Sequence, residues 1–244
     1  MNWFFRLLTS SIGQKIVMSL TGLFLMVFLI VHLAGNLQLL SADLGESFNS
    51  YAVFMTTNPV IKTVSYGLYA MILLHAIQGI ALWIANRKAA GAVRYAKKAS
   101  RTAWGPSWIS SNMAWFGILI FAFLLLHMGD FWWAMKTDML EKARYANASL
   151  AEPEVNDLYR KVYESFKQEW IVIAYLVGLF ALAAHLWHGF ASAFQTLGLN
   201  HPKYMPLIKA VGVLYATLIP LAYAAIPIYI YFFVEVDYPA TVLN

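Results

Sequence analysis

The sequence predicts an all-α integral membrane bundle of five transmembrane helices, and three observations carry that prediction. Of its 244 residues 61% are hydrophobic and 12% charged, and the mean hydropathy of +0.61 lies outside the globular range. The charges cluster, leaving uncharged windows at 16–42, 63–86, 102–129, 170–202 and 210–234. Each window can cross a hydrocarbon core of about 30 Å, which takes ~20 apolar residues in a helix, and none alternates as a barrel strand would.

Residues 1–14 place Trp3, Phe4, Phe5, Leu7 and Leu8 beside Arg6, the pattern of an amphipathic segment lying at the interface. The apolar run behind it is too long for a signal h-region and lacks an A-x-A-like site. Spans are expected near 16–40, 62–86, 111–135, 169–195 and 208–233, all in one membrane domain covering 1–244. Trp132 and Trp133 fit one interfacial belt, Trp104 and Trp108 the other. The third connection, 136–169, is expected to hold an amphipathic helix around 156–166.

Short-loop lysines and arginines orient the bundle. Arg6 and Lys15 precede the first span. Arg87, Lys88, Arg94, Lys97, Lys98 and Arg101 follow the second without any acid, and Lys203 and Lys209 follow the fourth. These segments share the cytoplasmic side. Asp43, Glu46, Lys62, the third connection, Glu235 and Asp237 fall on the other. The N-terminus is thus expected inside and the C-terminus outside, in a multi-pass protein of the cell's inner (cytoplasmic) membrane. The basic residues flank spans, so the net charge of +5 reflects lipid contact and does not point to nucleic acid.

There is no cysteine, which excludes an iron–sulfur cluster, a thiolate-ligated or c-type haem and any disulfide in this chain. Four histidines, His32, His75, His127 and His185, instead lie deep in four different apolar runs. An ionisable side chain at such depth is costly and usually functional. At 1.5 Å per helical residue, His32 and His127 lie roughly 27 and 24 Å from the inner face, and His75 and His185 roughly 18 and 16 Å. They form an outer pair and an inner pair, about 8 Å apart along the membrane normal. Bis-histidine ligation of two b-type haems needs this arrangement, because each iron takes two neutral imidazoles from helices facing each other at equal height.

Gly79 and Gly189 follow His75 and His185 by four positions, and Gly35 follows His32 by three; each offers a recess for a flat macrocycle or for close helix packing. His188, near the face of His185, is an alternative ligand. His201, before Pro202, is expected to be solvated. Asp130, a turn beyond His127, can serve proton exchange beside a quinone or simply reach the surface.

These residues also carry a resemblance. The stretch Ser10-Ser11-Ile12-Gly13, Leu20-Thr21-Gly22-Leu23-Phe24 and His32-Leu33-Ala34-Gly35-Asn36-Leu37 resembles the first helix of the di-haem cytochrome b anchor subunits of succinate:quinone oxidoreductases (succinate dehydrogenases) and fumarate reductases. Asn58-Pro59 with His75 resembles their second helix. His185-Leu186-Trp187-His188-Gly189-Phe190, with Ser192 and Gln195-Thr196-Leu197-Gly198, resembles their fourth ligand helix.

The resemblance implies haem iron ligands at His32 and His127 (outer haem) and at His75 and His185 (inner haem), and it prefers His185 to His188. It further implies a flavoprotein subunit and an iron–sulfur subunit docked on the cytoplasmic face. Electrons would pass to a membrane quinone, menaquinone in chains of this type. No acid lies between Glu169 and Lys203, which departs from members that carry a glutamate beside the fourth ligand, and mildly favours the succinate-oxidising direction.

The quinone candidates are Glu46, Asn36, Gln38 and Asp130 near the outer pair. Near the inner pair they are Ser10, Ser11, Gln14, Arg87 and Trp108; the outer set is preferred for its acids. Two alternatives share parts of the pattern. One is the cytochrome b subunit of another quinone-linked dehydrogenase, of hydrogenase or formate dehydrogenase type. The other is a transporter relaying protons through histidines, for which internal repeats or broken helices would argue.

Overall fold

The computed structural model describes residues 2, 6, 9–90, 107–145 and 154–235. Trp3, Phe4, Phe5, Leu7, Leu8, Arg94, Lys97, Lys98, Arg101, Trp104 and Asp237, named above, lie outside them. Among the described residues, five helices are long and apolar enough to cross a membrane: Ser11–Leu40, Pro59–Ala90, Met113–Lys136, Glu169–Thr196 and Met205–Phe233. They are 30, 32, 24, 28 and 29 residues long, each beyond the roughly 20 that a bilayer core demands. Most begin a few residues before the charge-free windows would place them, because charged and polar residues at a span's end keep their backbone hydrogen-bonded in the helix while their side chains reach water.

The span ends follow capping chemistry. Ser10 Oγ accepts from the Gly13 amide at 3.0 Å and opens the first span. Asn58 Oδ1 accepts from the Val60 and Ile61 amides at 2.9 and 3.3 Å. Pro59, which has no N–H to leave unsatisfied, takes the first turn of the second span. Arg87 and Lys88 fill that helix's last turn, where cations complement the helix dipole. The fourth span closes on Gly198 at φ +84°, with the Leu199 amide bonded to the Phe194 carbonyl and the Gly198 amide to that of Gln195. That left-handed stop is glycine's because a Cβ would be strained there.

Two spans are not uniform α-helix. The first tightens into a 3₁₀ turn at Leu37–Leu40. The third is α-helical over Met113–His127 and widens into a π turn over Met128–Trp133 before closing at Ala134–Lys136. Such π turns concentrate at functional sites, and this one starts immediately after His127.

The chain divides into two compact units. One comprises residues 1–29, 67–121 and 180–220, the other residues 30–66, 122–179 and 221–244, so every span contributes one segment to each. In the first unit, Met26, Leu186 and Ala216 form a buried cluster lined by Leu23, Leu29, Leu182, Trp187, Phe190 and Tyr215. The Tyr215 hydroxyl donates to the Met26 carbonyl at 2.6 Å, tying the fifth span to the first.

The second unit carries a cap outside the spans. It joins the helix Glu46–Thr57, an antiparallel strand pair Lys142–Arg144 and Glu154–Asn156, and the helix Leu158–Phe166. The last helix lies within the amphipathic segment expected at 156–166 and buries Tyr159, Val162, Ser165 and Phe166, a stripe at helical spacing. Its first turn is capped by Asp157, whose side chain accepts from the Arg160 amide at 3.0 Å. Gly45, at φ +88°, brings the chain against the Tyr159 ring, where a Cβ would sit 2.3 Å from Cγ.

Asn49 pins the cap. It is fully buried, donates through Nδ2 to the Tyr145 hydroxyl at 2.7 Å and to Asp157 Oδ1 at 2.8 Å, and accepts the Tyr159 amide at 2.9 Å. One side chain therefore joins the first connection to both elements of the third. Burial, then the negative charge of Asp157, holds the Tyr145 phenol well above its usual range, so it stays protonated and available to this network. Replacing Asn49 with Leu should strand the buried Tyr159 amide, at about 1–3 kcal/mol, and take from Asp157 Oδ1 one of its two hydrogen bonds, leaving that of the Arg160 amide. Limited proteolysis within 137–168 should accelerate while the five spans stay protected; unchanged cleavage would contradict this role.

Candidate functional site

The structure brings the four deep histidines together two by two, each pair within one unit. His75 on the second span faces His185 on the fourth, with ring centroids 6.2 Å apart and planes at 68°. His32 on the first span faces His127 on the third at 5.8 Å and 85°. An imidazole nitrogen bonds a transition metal at about 2 Å, so two such bonds in line separate the ring centres by roughly 6 Å. Both pairs meet that spacing. Among the described residues no group of three or more His, Cys, Asp or Glu side chains gathers to hold a metal ion.

In the first unit, small residues surround the His75–His185 pair. A Cβ on Gly22 would stand 3.3 Å from His75 Cε1, and one on Gly117 would stand 3.8 Å from His185 Cε1, so each ring approaches a glycine of another span through Cε1. A Cβ on Gly189 would meet no atom within 4 Å, and one on Gly79 only the Met18 methyl at 3.6 Å. Gly189 therefore borders open space, and Gly79 lies beside the end of a flexible side chain. Two polar atoms there are buried without a protein partner, His185 Nδ1 and Gln78 Oε1. Buried polar atoms are nearly always satisfied, and such exceptions call for an explanation. His75 is held differently: its Nδ1 lies 3.0 Å from Thr21 Oγ1.

His188 Nε2 is 3.3 Å from Ser192 Oγ one turn along its own helix. His201 is exposed and its Nδ1 accepts the Lys203 amide at 3.1 Å.

The His32–His127 pair sits among aromatic rings in the second unit. His127 Nδ1 is 3.0 Å from the Tyr175 hydroxyl, and Phe123, Phe131 and Tyr175 all lie within 6.0 Å of its ring centroid. Gly178 makes room for Phe123, since a Cβ there would meet that ring at 2.5 Å. Asn36 Nδ2 donates to His32 Nε2 at 3.3 Å, so metal ligation through that nitrogen requires Asn36 to turn away. The expected recess at Gly35 is taken: a Cβ there would fall 2.4 Å from Tyr51 Cε1. Gly35 therefore serves helix packing, because the tyrosine of the connecting helix occupies the space its missing side chain leaves.

Asp130 lies in the π turn. Its Oδ1 pairs with Lys161 Nζ at 2.6 Å, while Oδ2 is buried with no partner. The helix Leu158–Phe166 packs on the same π turn, and its Ser165 Oγ is likewise buried and unpartnered. Lys161 and Ser165 are one turn apart on that helix, so they share a face. Glu46 opens the helix Glu46–Thr57, and Gln38 lies in the 3₁₀ turn.

The remaining candidates are spread over the first unit. Ser10 caps the first span, and Ser11 and Gln14 lie in its first turn. The Arg87 guanidinium stands 5.0 Å from the Trp83 ring centroid, and the Trp108 ring packs on Phe116 at 5.8 Å. Sequence reading did not single out Thr21, Gly117, Lys161, Ser165 or Tyr175 as site residues. Tyr175 and Lys161 lie at mid-span and in an amphipathic helix, where tyrosine and lysine are ordinary.

Comparison with family models, with curated proteins and with solved structures finds no match to this chain, so its function rests on its own residues.

Proposed function

We propose that the chain is the two-haem cytochrome b membrane subunit of a succinate dehydrogenase of the succinate:menaquinone type. The observation that carries the reading is the pairing of four intramembrane histidines at 6.2 and 5.8 Å. The sequence resemblance of the first and fourth spans supports it. His75 with His185, and His32 with His127, would each hold one haem b, which when bound supplies one-electron transfer between ferric and ferrous iron. The N-terminus and the basic connection after the second span would face the cytoplasm, where a flavoprotein and an iron–sulfur subunit dock. Succinate is oxidised on those partner chains and a membrane quinone is reduced on this one.

Quinone reduction consumes two electrons and two protons, so a quinone site needs a proton source open to water. Asp130 and Lys161 meet that need beside His127. The side chains of this ion pair are 18% and 31% exposed respectively, which leaves a route to solvent, and Oδ2 of Asp130 remains available to a ligand hydroxyl. Ser165 can add a hydrogen bond from the facing helix. Tyr175 orients the His127 ring and the aromatic shell excludes water from it.

His75→Ala or His185→Ala should remove one haem, and His32→Ala or His127→Ala the other, each halving the haem bound per chain; His188→Ala should keep both. Pyridine haemochrome assay of the purified variants reads this directly. Haem loss in His188→Ala but not in His185→Ala would reassign the ligand. Purification with partner chains should yield succinate-dependent quinone reduction, whereas hydrogen- or formate-dependent reduction would move the protein to another dehydrogenase class.

Lys161→Met should slow quinone reduction by tenfold or more while haem content and succinate-to-dye transfer stay unchanged. Wild-type quinone turnover in that variant would remove Asp130 and Lys161 from the site.

A further inference from the structure

We infer that Thr21 is a positioning residue for His75: its hydroxyl oxygen accepts a hydrogen bond from His75 Nδ1–H, and so fixes Nε2 as the nitrogen that binds iron. This rests on the haem reading above and concerns a residue that reading does not use.

The argument is a count of protons. Thr21 lies in the first span, 3% exposed. Its Oγ1 is 2.9 Å from the Val17 carbonyl and 3.0 Å from that of Met18, one turn back on its own helix. Threonine hydroxyls inside helices commonly donate to such carbonyls. A hydroxyl has one proton, and these carbonyls, unable to donate, can only accept it. With that proton given to a carbonyl, Oγ1 offers its lone pairs to the third neighbour, His75 Nδ1 at 3.0 Å, which donates in the Nδ1–H tautomer. A neutral imidazole with its proton on Nδ1 carries its free lone pair on Nε2, as a metal ligand must.

Gly22 completes the seat. The position after Thr21 has no side chain, and a Cβ there would be 3.3 Å from His75 Cε1, so the ring is held from its edge by Thr21 and bounded by the bare backbone at Gly22. His185, across the pair, has no hydroxyl at its Nδ1, which is buried without a hydrogen bond, and the Met113 backbone acts on its ring instead. The two rings of this site are therefore held by different groups. Hydrogen bonding from a ligand's second N–H raises the basicity of the ligating nitrogen. A more basic ligand favours ferric over ferrous iron, so Thr21 should lower the reduction potential of the haem held by His75.

The test is a redox titration, followed by the visible haem band, of the full chain in membranes as wild type, Thr21→Val and Thr21→Ser. Valine keeps the shape and removes the acceptor; serine keeps the acceptor. Thr21→Val should shift one of the two haem midpoints upward, or lose that one haem, with the other midpoint unmoved, while Thr21→Ser should match wild type. If valine and serine variants behave alike, whether both native or both defective, the hydroxyl is not the determinant and the inference is wrong. Equal shifts in both midpoints would also overturn it. A wild-type chain with no haem band would remove the haem reading itself, which is a separate result from two native midpoints in Thr21→Val.

Discussion

Four imidazole rings meet in two pairs inside apolar helices of this chain. A polar ring in the bilayer core is tolerated only where its nitrogens find partners. The spans supply those partners unequally. Thr21 satisfies one nitrogen of His75, Tyr175 one of His127, and Asn36 one of His32, while His185 keeps a buried nitrogen that the protein leaves unsatisfied. Glycines lie beside these rings in the first unit, Gly22 next to His75 and Gly117 next to His185.

The second unit combines the other histidine pair with a polar cap. Asn49 fastens the first connection to the third through three hydrogen bonds, and the capped helix presents Lys161 and Ser165 to the π turn that carries Asp130. A π turn places one extra residue in the helical ladder, so it re-aims the side chains that follow His127. The result is a carboxylate one turn past a buried imidazole, paired on one oxygen and unpartnered on the other.

The spans were legible in the sequence because charge is excluded from the bilayer, so every window between charges marks one helix. The histidine pairing was legible because the rise per residue is fixed and alternating spans run in opposite directions. The amphipathic helix after Asn156 showed in its apolar spacing. The details around the histidines did not show. Thr21 and His75 are 54 positions apart, and no local pattern distinguishes a threonine that meets a ring of another helix from one that merely bonds its own carbonyl. The strand pair escaped notice because three-residue strands carry too little alternation to detect. Gly35 stayed open between a recess and close packing in the sequence because a missing side chain looks the same whether a cofactor or Tyr51 fills the space.

Haem stoichiometry of the wild-type chain bears most directly on the central claim. Purified without partner subunits and assayed for protohaem against protein mass, the chain should carry two haems, each giving the low-spin spectrum of bis-imidazole iron. A colourless protein, or one with a high-spin haem lacking a second imidazole, would show that the facing histidines serve only to hold helices together.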